Sequence, residues 1–410
     1  MKRLCLLILI AVFAGLPGRA ALAQVLGGAW VDQSNERIEE VRQTPVRVIV
    51  LGREGEAAGG AEVRIEQVRH AFPLGFTPTD SDWPEVGGSA RLWRVMNSVS
   101  LDHFTEWGDL LSAEGPGEVE SVLRKAEREN LAVHWGLVLS GDIAEYPEPV
   151  ARLNGAPQRA ALLAWARRVL GRFGQRAEAF DLYDMPRGRD YLGEAFGEAM
   201  IRQLYQQARA AGPEPKLGLR FEDSLTGPPM QEMVNTVTGL RQAFVPIDVV
   251  SIDQKLRGQL LQNPLARAMR WLSGLDVGVQ VVGLEVGGTS PAGAAVNLET
   301  LLRTLFAEPA IEGIWLGGLT EDQVTTPHAA LIGEGGELTE AGRIIDRLFG
   351  ELWWTSESHT ADRLGNVRAR VFAGEHEITA TLPDGGEVTT RVWIPPSAGE
   401  QTVVLEPMKE

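Results

Sequence analysis

Eight short apolar runs, separated by longer amphipathic segments, constrain this chain more than any other feature. The runs lie at 71–76, 95–101, 131–139, 179–183, 217–221, 249–252, 279–284 and 313–316. Between most of them, and after the last, come segments at 119–129, 159–173, 192–211, 230–244, 260–275, 298–306 and 340–349, with apolar residues at helical spacing. A short continuous apolar run fits a strand buried on both faces, and a longer 3.6-period segment fits a helix packed on it. Strand followed by helix, eight times over, predicts a (β/α)8 TIM barrel, which takes up about 250 residues. We place it at 70–352.

The texture differs at both ends. Residues 46–50 and 61–65 alternate apolar and polar around a Gly- and Ala-rich turn at 55–60, and alternation returns at 367–371, 377–381, 388–394 and 402–405. Period-2 patterning indicates half-buried strands, and Asp384-Gly385-Gly386 is a hairpin signal. Small β domains are therefore expected at 24–69 and 353–410, flanking the barrel.

Residues 1–23 read as a secretory signal peptide: basic Lys2 and Arg3, an apolar stretch over 4–16, and Ala21-Leu22-Ala23 before Gln24. That stretch is shorter than the roughly 20 residues of a membrane span. A secreted or periplasmic protein without a span in the mature chain is expected. Cleavage would remove Cys5, the only cysteine, so neither a disulfide nor a thiol nucleophile is available. The formal charge of −16 disfavours nucleic acid, whose binding needs clustered positive charge. A neutral polysaccharide or oligosaccharide suits it better, bound by a monomer.

Phosphate-binding loops of the Gly-x-x-x-x-Gly-Lys-Ser/Thr or Gly-x-Gly-x-x-Gly type are missing at strand-to-helix turns. His70, His103, His134, His328, His359 and His376 lack metal-type spacing, and surface or supporting roles are expected for them. No cofactor or metal is expected. Barrel chemistry gathers at the C-terminal ends of the strands. The polar residues there are Asp102, His103 and Glu106 after the second strand, Asp181 and Asp184 at the fourth, Glu222 and Asp223 at the fifth, Asp253 and Gln254 at the sixth, and Glu285 at the seventh. Glycoside hydrolysis needs two carboxylates across one cleft, about 5 Å apart for retention and about 6.5–9.5 Å for inversion. Asp184 and Glu285 are the best pair by position, against the alternative that both are solvated loop acids.

These residues also resemble a known family. The segment 59–75 is similar to the entry segment of glycoside hydrolase family 10, the retaining endo-β-1,4-xylanases, and Trp354-Thr355, Asp362, Gly365, Phe372 and Gly374 are similar to its closing β domain. The resemblance covers nearly the whole mature chain and implies a xylan-directed hydrolase. Its catalytic stations differ. Where the family has Asn-Glu-Pro with the acid/base glutamate, this chain has Asp184-Met185-Pro186, and where the family has Thr-Glu with the nucleophile it has Gly283-Leu284-Glu285. Glu285 reaches the nucleophile's place through a register shift of one. The resemblance assigns sugar contacts to Asp102, His103, Glu106, Trp107, Trp135, Gln254 and Glu222, with Glu106 where the family carries lysine.

Two functions follow. One is an atypical glycosidase using Asp184 as general acid and Glu285 as nucleophile or base, which requires an irregular strand end because neighbouring strand residues face opposite ways. The other is a non-catalytic pseudoenzyme that binds β-1,4-glycan or a partner through aromatics such as Trp83, Trp93, Trp107 and Trp135. A smaller possibility is a cation-binding cluster of Glu222, Asp223, Asp253 and Glu285.

Overall fold

The computed structural model describes residues 28–79, 90–105, 107, 110, 115–185, 190–212, 214–225, 228–260 and 262–407. The signal-peptide segment, Trp83 and Glu106 lie outside them. A helix, α1 (Gly28–Arg42), leads into β1 (Gln43–Val50) and β2 (Glu62–His70).

The barrel follows. Its strands are β3 (Leu74–Phe76), β4 (Ser98–Ser100), β5 (Ala132–Leu139), β6 (Ala179–Met185), β7 (Lys216–Glu222), β8 (Val249–Leu256), β9 (Gly278–Val286) and β10 (Ile311–Leu316). All pair in parallel, and β10 returns to β3 to close the ring. Each of the eight apolar runs supplies one strand. Helices Gly155–Phe173, Glu198–Ala211 and Pro291–Phe306, among others, cover the outside. The expected helix at 192–211 is divided in two by Gly197, whose φ of 65° breaks the helical turn. Between strands and helices lies one continuous apolar core.

Beyond the barrel come β11 (Ser356–Thr360), β12 (Asn366–Phe372), β13 (Gly374–Thr381), β14 (Glu387–Ile394) and β15 (Gln401–Leu405). The β segments of the two ends pair with each other. One sheet runs β12-β1-β15 and the other β11-β2-β13-β14. Val46, Val48, Val63 and Ile65 from one end share a core with Val367, Val371, Ile378 and Val403 from the other. Covering two half-apolar sheets is the reason for this pairing, since neither end alone has enough inward surface to form a core. Arg42 fastens α1 under the barrel by donating to the carbonyls of Phe306 (2.7 Å), Glu308 (2.7 Å) and Ile311 (2.9 Å) while stacking on Phe72 and Phe306.

Candidate functional site

A pocket of about 390 Å³ opens at the C-terminal ends of β4 to β8, walled by Asp102, His103, Trp107, Ser140, Glu145, Tyr146, Asp184, Arg220, Glu222, Asp253 and Lys255 among others. Its floor is ionic. Arg220, nearly buried, donates from Nε to Asp181 (2.9 Å) and from Nη2 to Asp102 (2.6 Å). Asp181 is fully buried, accepts from Ser251 Oγ (2.6 Å) and lies 3.5 Å from His134 Nε2. Ser100 Oγ donates to Asp102 (3.1 Å) and sits 3.1 Å from His134 Nδ1. Burial works to raise the Asp181 pKa, but His134 and Arg220 outweigh it and hold the carboxyl at about 2.

Register decides which acids reach this pocket. Along β6 and β7, Asp181 pairs with Gly218 but Tyr183 with Leu219, so β6 carries one extra residue. Asp181 faces the barrel interior. Strict alternation would turn Tyr183 inward next; the bulge instead brings Asp184 level with inward-facing Arg220. Met185 packs with the apolar core. The same device recurs in β9. Asp253 pairs with Val282 and Lys255 with Glu285, two steps on β8 against three on β9, and β10 repeats the offset. Gly283 has φ 55° there, and a Cβ on it would lie 2.7 Å from Asp253 Oδ1, so glycine is required twice over. The β9 strand thus carries one extra residue just before Glu285.

Asp184 lines the pocket and accepts from the Gly141 N–H. Burial pushes its carboxyl up to about 7 against the opposing pull of that N–H, with Glu145 adding to the rise. Asp253 is pushed by burial to about 6, with Arg220 opposing and Asp102 assisting. A carboxyl still protonated near neutrality can donate a proton.

Glu285 is placed differently. Its Oε2 accepts from Thr325 N (2.9 Å), Thr325 Oγ1 (3.0 Å) and Thr326 N (2.6 Å), in the loop after β10, and Oε1 is 4.0 Å from Lys255 Nζ. The residue is buried beside the pocket and is not part of its wall. We expect Glu285→Gln to cost about 1–3 kcal/mol, the scale of hydrogen bonds to a charged group. The check is the urea midpoint at constant slope, and an unchanged midpoint would refute the anchoring role.

Asp102, His103, Trp107 and Glu222 do line the pocket. Trp107 is largely covered by stacking on Trp165 at 4.6 Å, which leaves little of its face for a ligand. Trp135 requires a correction as a sugar contact: it is fully buried between Phe173 and Phe180, on the helix side of β5. Trp93 packs edge-on against Phe76. Gln254 is also corrected, since its amide is spent on Leu225 N and Asp223 (3.0 Å each), bracing the loop after β7. The four-acid cation cluster does not assemble. Glu285 is turned to Thr325 and Thr326, Asp223 is bonded to Gln254 and the Lys255 N–H, and no metal-holding group of three or more His, Cys, Asp or Glu occurs among the described residues. His70, His134 and His376 are buried rather than superficial.

Sequence reasoning missed Arg220. Its one signal was a charge inside the apolar run at 217–221. Lys255, Tyr146 and Ser140, which also line the pocket, gave none.

No family model matches this chain. Among curated proteins it is 25% identical over 368 residues to the anti-sigma-I factor RsgI6 of Acetivibrio thermocellus, covering 88% of this chain and 48% of that protein. It is 23% identical over 371 residues to endo-1,4-beta-xylanase 2 of Arabidopsis thaliana, covering 86% and 34%. This chain therefore spans half or less of the length of these relatives. Among solved structures, xylanase 10B of Thermotoga petrophila in complex with xylobiose superposes with a TM-score of 0.61 at 14% identity, over 68% of this chain and 94% of that one. The intracellular xylanase of Thermoanaerobacterium saccharolyticum, in complex with xylotetraose, gives 0.58 at 18%, over 67% and 95%. The fold is that of family 10 xylanases.

Proposed function

We propose that this chain is a secreted recogniser of β-1,4-linked, xylan-type polysaccharide, with hydrolysis weak or lost. One observation carries the reading. Met185, half-buried, packs against the core and the Glu285 carboxylate is bonded to Thr325 and Thr326, so the pocket keeps a sugar-sized polar cavity with no carboxylate from Met185 or Glu285, the positions of the family's catalytic pair, on its wall. One relative at 25% identity bears the name of a regulator, an anti-sigma factor, which suits a barrel kept for recognition.

A second reading, residual hydrolysis with Asp184 as proton donor, is favoured by the inward turn of that residue and its pKa of about 7. A positioned general acid contributes about 10²–10⁴-fold. Migration in a xylan-loaded native gel, alongside reducing-sugar release at high protein load, separates the two. Retardation without release is the expected result. Release that disappears in Asp184→Asn and in Glu285→Gln would replace it with the second reading, and neither retardation nor release would overturn both.

A further inference from the structure

We propose that Arg220 is the ligand anchor of the pocket, donating to the hydroxyls of a neutral sugar, and that the acids around it reject an anionic one. The proposal rests on the glycan-recognition reading and names the class of glycan.

An arginine in a ligand pocket ordinarily suggests a carboxylate partner, because the guanidinium fork matches one. Here that capacity is already used. Nε is committed to Asp181 and Nη2 to Asp102, so two protein acids meet one cation before any ligand arrives. Nη1 has no hydrogen-bond partner among the described residues, and Arg220 forms part of the pocket wall. Donor hydrogens are therefore available without net positive charge.

The rest of the wall sharpens the contrast. Asp184, Asp253, Glu145 and the exposed Glu222 all face the cavity, while the other cation, Lys255, lies 4.0 Å from Glu285. An incoming carboxylate would be set against the Glu222 and Glu145 side of this wall above all, since burial keeps Asp184 and Asp253 partly protonated, and like-charge juxtaposition costs several kcal/mol at an interface. A sugar diol meets no such opposition. One hydroxyl oxygen can accept from Nη1 while a neighbouring O–H donates to Asp184, which pairs with Arg220 across β6 and β7, or to Asp253.

The anchor is also rigid. Asp102 packs against Gly136, where a Cβ would overlap its carboxylate, and Asp181 is fixed from beneath by Ser251 and His134. A donor held in place before binding loses little entropy when the ligand docks.

Calorimetric titration with a linear neutral β-1,4-xylo-oligosaccharide and with the same oligosaccharide carrying a glucuronic acid branch tests the proposal. The neutral ligand is expected to bind at least about tenfold more tightly. Arg220→Lys keeps the charge but not the planar fork, and should lose about tenfold in neutral affinity. Glu222→Gln, at an exposed site where folding is not at risk, should narrow the neutral-to-acidic ratio by about threefold. Equal or tighter binding of the acidic ligand, or a ratio unmoved by Glu222→Gln, would overturn the proposal and leave glycan recognition standing. Binding of neither ligand would overturn both.

Discussion

Arg220→Met is expected to destabilise the fold by about 3–5 kcal/mol, the cost of leaving one partner of a buried ion pair uncompensated. Methionine retains an unbranched apolar stem, so the change removes charge with limited change of volume. The burden falls on Asp181, which is fully buried and would keep only Ser251 and His134. The pH dependence has a definite sign. The Asp181 carboxyl is held at about 2, below its ordinary 3.8. Its contribution is therefore complete above pH 4 and is lost as pH falls toward 2. Without the guanidinium the carboxyl moves up toward its unfolded value, so the variant, already weaker at pH 7, should lose less further stability than the native protein as pH falls from 4 toward 2. Urea unfolding at pH 7 and an acid titration followed by circular dichroism measure both effects. A loss below about 1 kcal/mol would show that the network is not a stabilising element. The double variant with Asp181→Asn should recover part of the loss, because the stranded charge is then removed too.

How far the sequence revealed this arrangement depends on the kind of information each feature carries. The eight barrel strands were legible because each is a local apolar run, and the flanking strands because each alternates. That β1 pairs with β12 and β15, and β2 with β11 and β13, was not legible, since pairing partners more than 280 residues apart leave no local trace. The site was legible only as a set of acids at strand ends. Which of them point inward is fixed by single-residue bulges in β6 and β9, and of the two only the second has a local marker, Gly283. Trp135 shows the same limit from the other side. In the sequence His134 and Trp135 are adjacent and equally available, but alternation sends one into the barrel toward Asp181 and the other out against Phe173. Arg220 reads in the sequence as part of an apolar run because a lone charge there gains its meaning only from Asp102 and Asp181, on elements distant in sequence.

Asp184→Asn should make the protein more resistant to alkaline pH, and this prediction tests the bulge directly. Burial raises the Asp184 carboxyl from 3.8 to about 7, so the native state holds a proton that the unfolded chain releases near pH 4. A raised carboxyl contributes stability that is complete below the unfolded pKa and is lost as pH rises through the folded one. At about 1.4 kcal/mol for each tenfold change, the loss between pH 5 and pH 8 is roughly 2–3 kcal/mol. Asp253, raised to about 6, runs in the same direction over the lower part of that window. Asparagine has no proton to lose, and its carbonyl can still accept from the Gly141 N–H. The difference in melting temperature between pH 5 and pH 8 should therefore shrink in the variant, with most of the gain at pH 8. If Asp184 instead faced solvent on the outer side of β6, its carboxyl would titrate near 4 and the substitution would leave the pH 5 to pH 8 interval unchanged. An unchanged interval would thus remove Asp184 from the pocket, and with it both the proton donor of the residual-hydrolysis reading and one of the two hydroxyl acceptors beside Arg220.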